Sequence, residues 1–134
     1  MKKILIIEDD KYLSSALKIK FEKTGYEAKV ALDGDEVTQV LAAGFIPDIM
    51  LLDLVMPKKD GFSVLESLKA SDQWKNIPVV IASNLGQKED IDRGMGLGAK
   101  DYIVKSEMTL ADIVAKIRSI LESQVVSSAT PPTQ

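Results

Sequence analysis

Four places in the sequence put reactive side chains directly after short apolar runs. Glu8-Asp9-Asp10 follows Ile4-Leu5-Ile6-Ile7, and Asp53 follows Ile49-Met50-Leu51-Leu52. Ser83-Asn84 follows Val79-Val80-Ile81-Ala82, and Lys105 closes the stretch 100–105. Glu8, Asp9 and Asp53 held together would repel one another, and a divalent cation between them removes that penalty. The chain has no histidine and no cysteine, so any metal must be hard and held by oxygen. Mg²⁺ suits one or two carboxylates plus waters, with Mn²⁺ as the alternative. Lys105 adds a point charge able to neutralise an anionic substituent on Asp53. A carboxylate beside Mg²⁺ and lysine suits phosphoryl transfer, with Asp53 as the nucleophile that becomes an acyl phosphate.

The same composition excludes other chemistries. Without histidine there is no Ser-His-Asp triad, no imidazole base and no His-ligated zinc; without cysteine there is no thiol nucleophile or disulfide framework. Seventeen basic residues against twenty acidic ones leave a net charge of −3, and nothing suggests direct nucleic-acid binding. The whole acidic surplus falls in residues 1–67, with 9 basic and 12 acidic side chains. No apolar run approaches the roughly 18 residues of a membrane span. The start, Met1-Lys2-Lys3, leads into too short an apolar run for a signal peptide. A cytoplasmic protein that does not contact membranes is the expectation.

Positioning these side chains requires the apolar runs to be strands of one sheet. The continuous branched run at 4–7 reads as a strand buried on both faces, 49–52 and 79–82 read as further strands, and 26–32 as a more mixed edge strand. Helical patterns separate them. Residues 10–24 place Leu13, Leu17 and Phe21 on one face; Asp33 with Glu36 reads as a capping box before Val37, Val40 and Leu41. A loop containing Pro57 and Gly61 precedes a helix bearing Val64, Leu65 and Leu68. The helix near 86–96 is weakened by its glycines, and the last one is capped by Thr109 with Asp112. This alternation predicts a doubly wound, five-stranded parallel α/β sheet of order 2-1-3-4-5, the flavodoxin-like (βα)5 arrangement, with its crevice at the strands' carboxyl ends. The domain is expected over 1–124, with 125–134 as a disordered tail.

Simpler roles compete for some residues. Asp10 reads best as the cap of the first helix, and Ser83 or Asn84 could serve only as the cap of the fourth. The glycine run 94–98 leads into a strand rather than a helix and is not a phosphate loop. Trp74 and Tyr12 read as structural or incidental.

Ile4-Leu5-Ile6-Ile7-Glu8-Asp9-Asp10, Asp53-Leu54-Val55-Met56-Pro57 with Asp60-Gly61, Ala82-Ser83, and Gly98-Ala99-Lys100-Asp101-Tyr102-Ile103-Val104-Lys105 together resemble receiver domains of two-component response regulators, including the chemotaxis regulator. The resemblance covers about residues 2–122. It implies that Asp53 accepts a phosphoryl group from a phosphohistidine on a sensor histidine kinase or phosphotransfer protein. It further implies that Asp9, Asp53 and the Val55 backbone carbonyl ligate Mg²⁺, with Glu8 acting through a water. Lys105 and the Ser83 hydroxyl would meet phosphoryl oxygens. Ser83 and Tyr102 would form the switch that reshapes the face of helix 4, strand 5 and helix 5 for an output protein. Such a domain is a phosphoacceptor that promotes its own phosphorylation and dephosphorylation rather than an enzyme.

Three departures from the family pattern carry expectations. Ser106 stands where the family usually has a proline joined by a cis peptide, and a retained cis bond is expected. Ser83 stands where threonine is commoner. Val55 and Leu85 are apolar at positions flanking the path of hydrolytic water, so a long-lived phosphoryl group is expected. Other readings are a receiver fragment of a longer regulator with a DNA-binding or enzymatic output domain, a phosphatase or phosphotransferase on a similar fold, and a receiver-like module that is never phosphorylated. The phosphatase class needs a carboxylate where Val55 stands, and the complete carboxylate set with Lys105 argues against the unphosphorylated module.

Overall fold

A computed structural model describes residues 1–56 and 60–129. Strands β1 (Lys2–Ile7), β2 (Tyr26–Ala31), β3 (Ile49–Leu52), β4 (Val79–Ser83) and β5 (Asp101–Val104) alternate with helices α1 (Lys11–Lys23), α2 (Gly34–Ala42), α3 (Gly61–Ala70), α4 (Lys88–Gly96) and α5 (Leu110–Ala129). All strand pairs are parallel and their order is β2-β1-β3-β4-β5, as the alternation predicts. The unbroken Ile4–Ile7 and Ile49–Leu52 runs are fully buried because helices cover both faces.

Side-chain alternation along each strand divides the core into two layers. Ile4, Ile6, Leu51 and Val80 face Leu17 and Phe21 of α1 and Ile113, Val114 and Ile117 of α5. Leu5, Ile7, Met50, Leu52 and Ile81 face Val37 and Leu41 of α2 and Val64, Leu65 and Leu68 of α3. Helix α4 contributes little: Gly94 is its only buried residue, and its N-cap Gln87 makes no side-chain capping bond. The other caps follow the sequence. Asp10 accepts from the N–H groups of Tyr12 and Leu13, so it is a cap as expected. Asp33 accepts from Glu36 N–H while Glu36 reaches back to Leu32 N–H, and Thr109 and Asp112 cap α5 reciprocally.

Three expectations are corrected. First, α4 begins at Lys88, two residues later than expected, so neither Ser83 nor Asn84 caps it; Ser83 Oγ instead accepts the Leu85 N–H at 3.2 Å. Second, no cis peptide bond occurs among the described residues, so Lys105-Ser106 is trans. A cis bond to serine would cost about 3 kcal/mol; the chain turns instead through a 3₁₀ segment at Lys105–Glu107. Third, α5 continues to Ala129, and the disordered tail expected from 125 does not begin there. No proline or glycine interrupts 110–129. The rest of that tail, and Pro57 in the β3–α3 loop, lie outside the described residues. Tyr12 is 91% exposed, in keeping with an incidental role. Trp74 does pack on the α2–α3 side, although its buried indole N–H has no partner among the described residues.

Candidate functional site

The parallel register sets the carboxyl ends of four strands level: Ile7 lies beside Leu52, Leu52 beside Ile81, and Ser83 beside Val104. The residues just beyond those ends are therefore brought into one pocket. Backbone bonds hold two of them in place, Glu8 N–H donating to the Ala31 carbonyl and Asp53 N–H to the Ile7 carbonyl. One carboxylate oxygen from each of Glu8, Asp9 and Asp53 lies within 4.8 Å of the others. Glu8 and Asp53 are almost fully buried. This is a hard, anionic oxygen set of a kind that Mg²⁺ or Mn²⁺ accepts, and it fits a divalent ion without adjustment of the donor types.

Lys105 reaches into the same pocket, with its ammonium 2.7 Å from Glu8 Oε1 and 3.6 Å from Asp53 Oδ1. Its closer partner is Glu8. Burial pushes the Glu8 carboxyl up to about 7. The Lys105 bond opposes this, the Asp53 charge adds to it, and the Asp10 N–H to Glu8 Oε2 at 3.1 Å opposes it again. Two buried carboxylates sharing one ammonium explain the direction.

The remaining residues line the rim. Ser83 is fully buried at the end of β4, while Val55 and Leu85 are exposed at 60% and 36% above the pocket. The Val55 N–H lies 3.5 Å from Asp53 Oδ1, a contact at the outer limit of hydrogen bonding. The Tyr102 hydroxyl donates to the Leu85 carbonyl, tying β5 to the loop that leads into α4. Burial raises the Tyr102 phenol above its ordinary value, so it stays a neutral donor.

Two features were not assigned from sequence. A Cβ on Gly61 would stand 2.3 Å from the Asp53 carbonyl oxygen and 2.5 Å from Leu54 Cα, and the Gly61 N–H donates to the Leu54 carbonyl at 2.8 Å. Asp60-Gly61 was visible as a pair, but the sequence does not say which strand presses on it. Arg93 of α4 stacks over the Phe62 ring at 4.1 Å, linking α4 to the first turn of α3. An arginine on a weak helix gave no advance signal of that contact.

The response regulator receiver domain family model matches residues 4–118. The chain belongs to the response regulator receiver domain family. Among curated relatives, the DNA-binding dual master transcriptional regulator RpaA of Synechocystis sp. is 38% identical over 121 residues, 90% of this chain and 49% of that protein. The transcriptional regulatory protein CpxR of Escherichia coli K12 is 39% identical over 121 residues, 90% of this chain and 50% of that protein. This receiver domain thus spans about half the length of these relatives. The solved Francisella response regulator 1452 receiver domain superposes with a TM-score of 0.81 at 30% identity, covering 92% of this chain and 99% of that one. A receiver is a signalling module, and no helix among the described residues is long and apolar enough to cross a membrane.

Proposed function

We propose that this receiver domain takes a phosphoryl group onto Asp53 from a phosphohistidine of a sensor kinase or phosphotransfer protein. The observation that carries the reading is the gathering of Glu8, Asp9 and Asp53 within 4.8 Å, with the Lys105 ammonium against two of them. An Asp53 carboxylate oxygen attacks phosphorus as the P–N bond to the donor imidazole breaks, and that nitrogen keeps the bonding electron pair. Asp9, Asp53 and the Val55 carbonyl would hold Mg²⁺, with Glu8 acting through a water; Mn²⁺ has the same oxygen preference. The ion would supply charge neutralisation at the phosphoryl oxygens.

Lys105 then exchanges part of its contact with Glu8 for the newly anionic group on Asp53. Ser83 turns its hydroxyl from the Leu85 N–H toward a phosphoryl oxygen. That releases the loop held by Tyr102, whose ring packs against α4 at Gly94, where a Cβ would lie 3.4 Å from it. The α4–β5–α5 face is the surface we assign to the output protein. Binding of nucleic acid has no residue in this pocket to support it, and a cytoplasmic location agrees with a phosphohistidine donor.

A second reading is favoured by one observation: relatives named as transcriptional regulators are about twice as long as the matched region. The chain would then be the receiver portion of a longer regulator with its own output domain. The test for the shared reading is transfer from a phosphorylated histidine phosphotransfer domain in Mg²⁺. Stoichiometric label on the wild-type chain and none on Asp53→Asn supports it; equal label on both removes Asp53 as acceptor.

A further inference from the structure

The outer edge of β2 is an open edge of the sheet, recessed so that Val30 is half-buried and Ala28 is 4% exposed. The Ala31 carbonyl accepts the Glu8 N–H, so Ala31 turns its backbone groups toward β1. Successive residues of a strand alternate in direction, and Ala28 and Val30 therefore turn their N–H and C=O groups outward. No strand lies beyond β2, and none of these four groups has a partner outside the sheet among the described residues.

This edge forms the floor of a trench. One hollow of about 650 Å³ is walled by Lys11, Ser15 and Lys18 of α1 on one side and by Val40 of α2 on the other. A second, of about 450 Å³, continues past Glu27 and Lys29 to Lys3, Gly44 and Phe45. Because helices wall the edge, a second copy with an equally recessed β2 cannot reach it, whereas a single extended segment can. The trench is also basic in a chain of net charge −3. Lys3 and Lys29 hold their ammonium groups 5.9 and 5.5 Å from the Phe45 ring centre, and neither they nor Lys11 enter an ion pair among the described residues. Of the two acids in the trench, Glu36 is committed to the Leu32 N–H.

We propose that this trench takes up an acidic, extended polypeptide segment as a sixth strand beside β2. Backbone groups would give affinity, and carboxylates at alternate positions, all on one face of the added strand, would meet either Lys11 on the α1 side or Lys3 and Lys29 on the α2 side. Lysines on a bare edge ordinarily discourage strand addition; here they select for a segment of opposite charge.

The probe is a synthetic acetylated peptide of alternating glutamate and valine, titrated into the ¹⁵N-labelled full chain. The amide signals of Ala28 and Val30 are expected to shift and their hydrogen exchange to slow. N-methylation of every second peptide amide, on the edge facing β2, should abolish binding. Lys11→Glu with Lys29→Glu should weaken it by roughly tenfold or more. Circular dichroism and Asp53 labelling of that variant establish that it is folded. Absence of shifts at millimolar peptide, shifts mapping to another surface, or equal binding by the N-methylated peptide would each overturn the proposal. The last result would mean that charge alone adsorbs the peptide.

Discussion

Gly61→Ala is the sharpest test of how the acceptor is held. The added methyl carbon would lie 2.3 Å from the Asp53 carbonyl oxygen and 2.5 Å from Leu54 Cα. Both neighbours are backbone atoms, so no side chain can swing aside. Ordinary contact begins near 3.4 Å, and the α3 start and the β3 end must separate by about 1 Å. Forcing a methyl into a packed site costs typically 1–3 kcal/mol. A displacement of about 1 Å at a reacting group can slow chemistry up to roughly a hundredfold.

Gly96→Ala is the matched control. Nothing lies within 4 Å of a Cβ there, and in a helix the change gains up to about 1 kcal/mol. Urea unfolding and the rate of Asp53 labelling by a small phosphodonor in Mg²⁺ should therefore move in opposite directions for stability and only for Gly61→Ala in rate. A Gly61→Ala variant within about 0.5 kcal/mol of wild type that labels at the normal rate would refute the reasoning.

Other outcomes follow from the pocket and its rim. Glu8, raised from 4.5 to about 7, stays protonated in the fold where the unfolded chain has ionised, so its stabilising contribution is present at low pH and lost as pH rises through about 7. In chelator, thermal melts of wild type should fall more between pH 5 and 8 than those of Glu8→Gln, and an equal fall contradicts the assignment. Lys105→Met leaves Glu8 and Asp53 without their ammonium and should cost roughly 1–3 kcal/mol at pH 8. The cost should shrink at pH 5, where Glu8 protonates; urea midpoints at the two pH values decide it. Polar substitutions at the exposed Val55 and Leu85 should hasten loss of the Asp53 phosphoryl group in Mg²⁺, and an unchanged half-life argues against an apolar barrier to water. Helix α4, with one buried residue and no side-chain cap, should exchange its amide hydrogens fastest of the five helices, which protection equal to α5 would contradict.

The sheet order, the caps at Asp10, Asp33 and Thr109, and the gathering of Glu8, Asp9, Ser83, Asp53 and Lys105 were legible because each follows from local pattern. Buried branched runs define strands, and parallel alternation sends their ends to one side. What was not legible depends on contacts between elements distant in sequence. The partnership of Lys105 with Glu8 spans 97 positions and depends on how the ends of β1, β3 and β5 pack together. The trans bond at Lys105-Ser106 reflects the cost of a cis bond without proline, which outweighed the family pattern. Helix α4 starts at Lys88 with Gln87 as its N-cap and no side-chain capping bond, so no capping side chain marks its start. The extension of α5 to Ala129 shows that loss of hydrophobic periodicity after Ser123 does not itself end a helix. Gly61 carried a visible motif, but the close approach of β3 that requires it is a tertiary fact.

The central claim is that Asp53 is the acceptor in a Mg²⁺-dependent acyl phosphate. Intact mass spectrometry of the chain after a small phosphodonor, with borohydride reduction to mark the acyl phosphate, reads this directly. The account predicts the mass of one phosphoryl group in Mg²⁺, none in chelator, and a reduced residue mapped to position 53. Modification that persists in chelator, or maps to Asp9 or any other carboxylate, would contradict it.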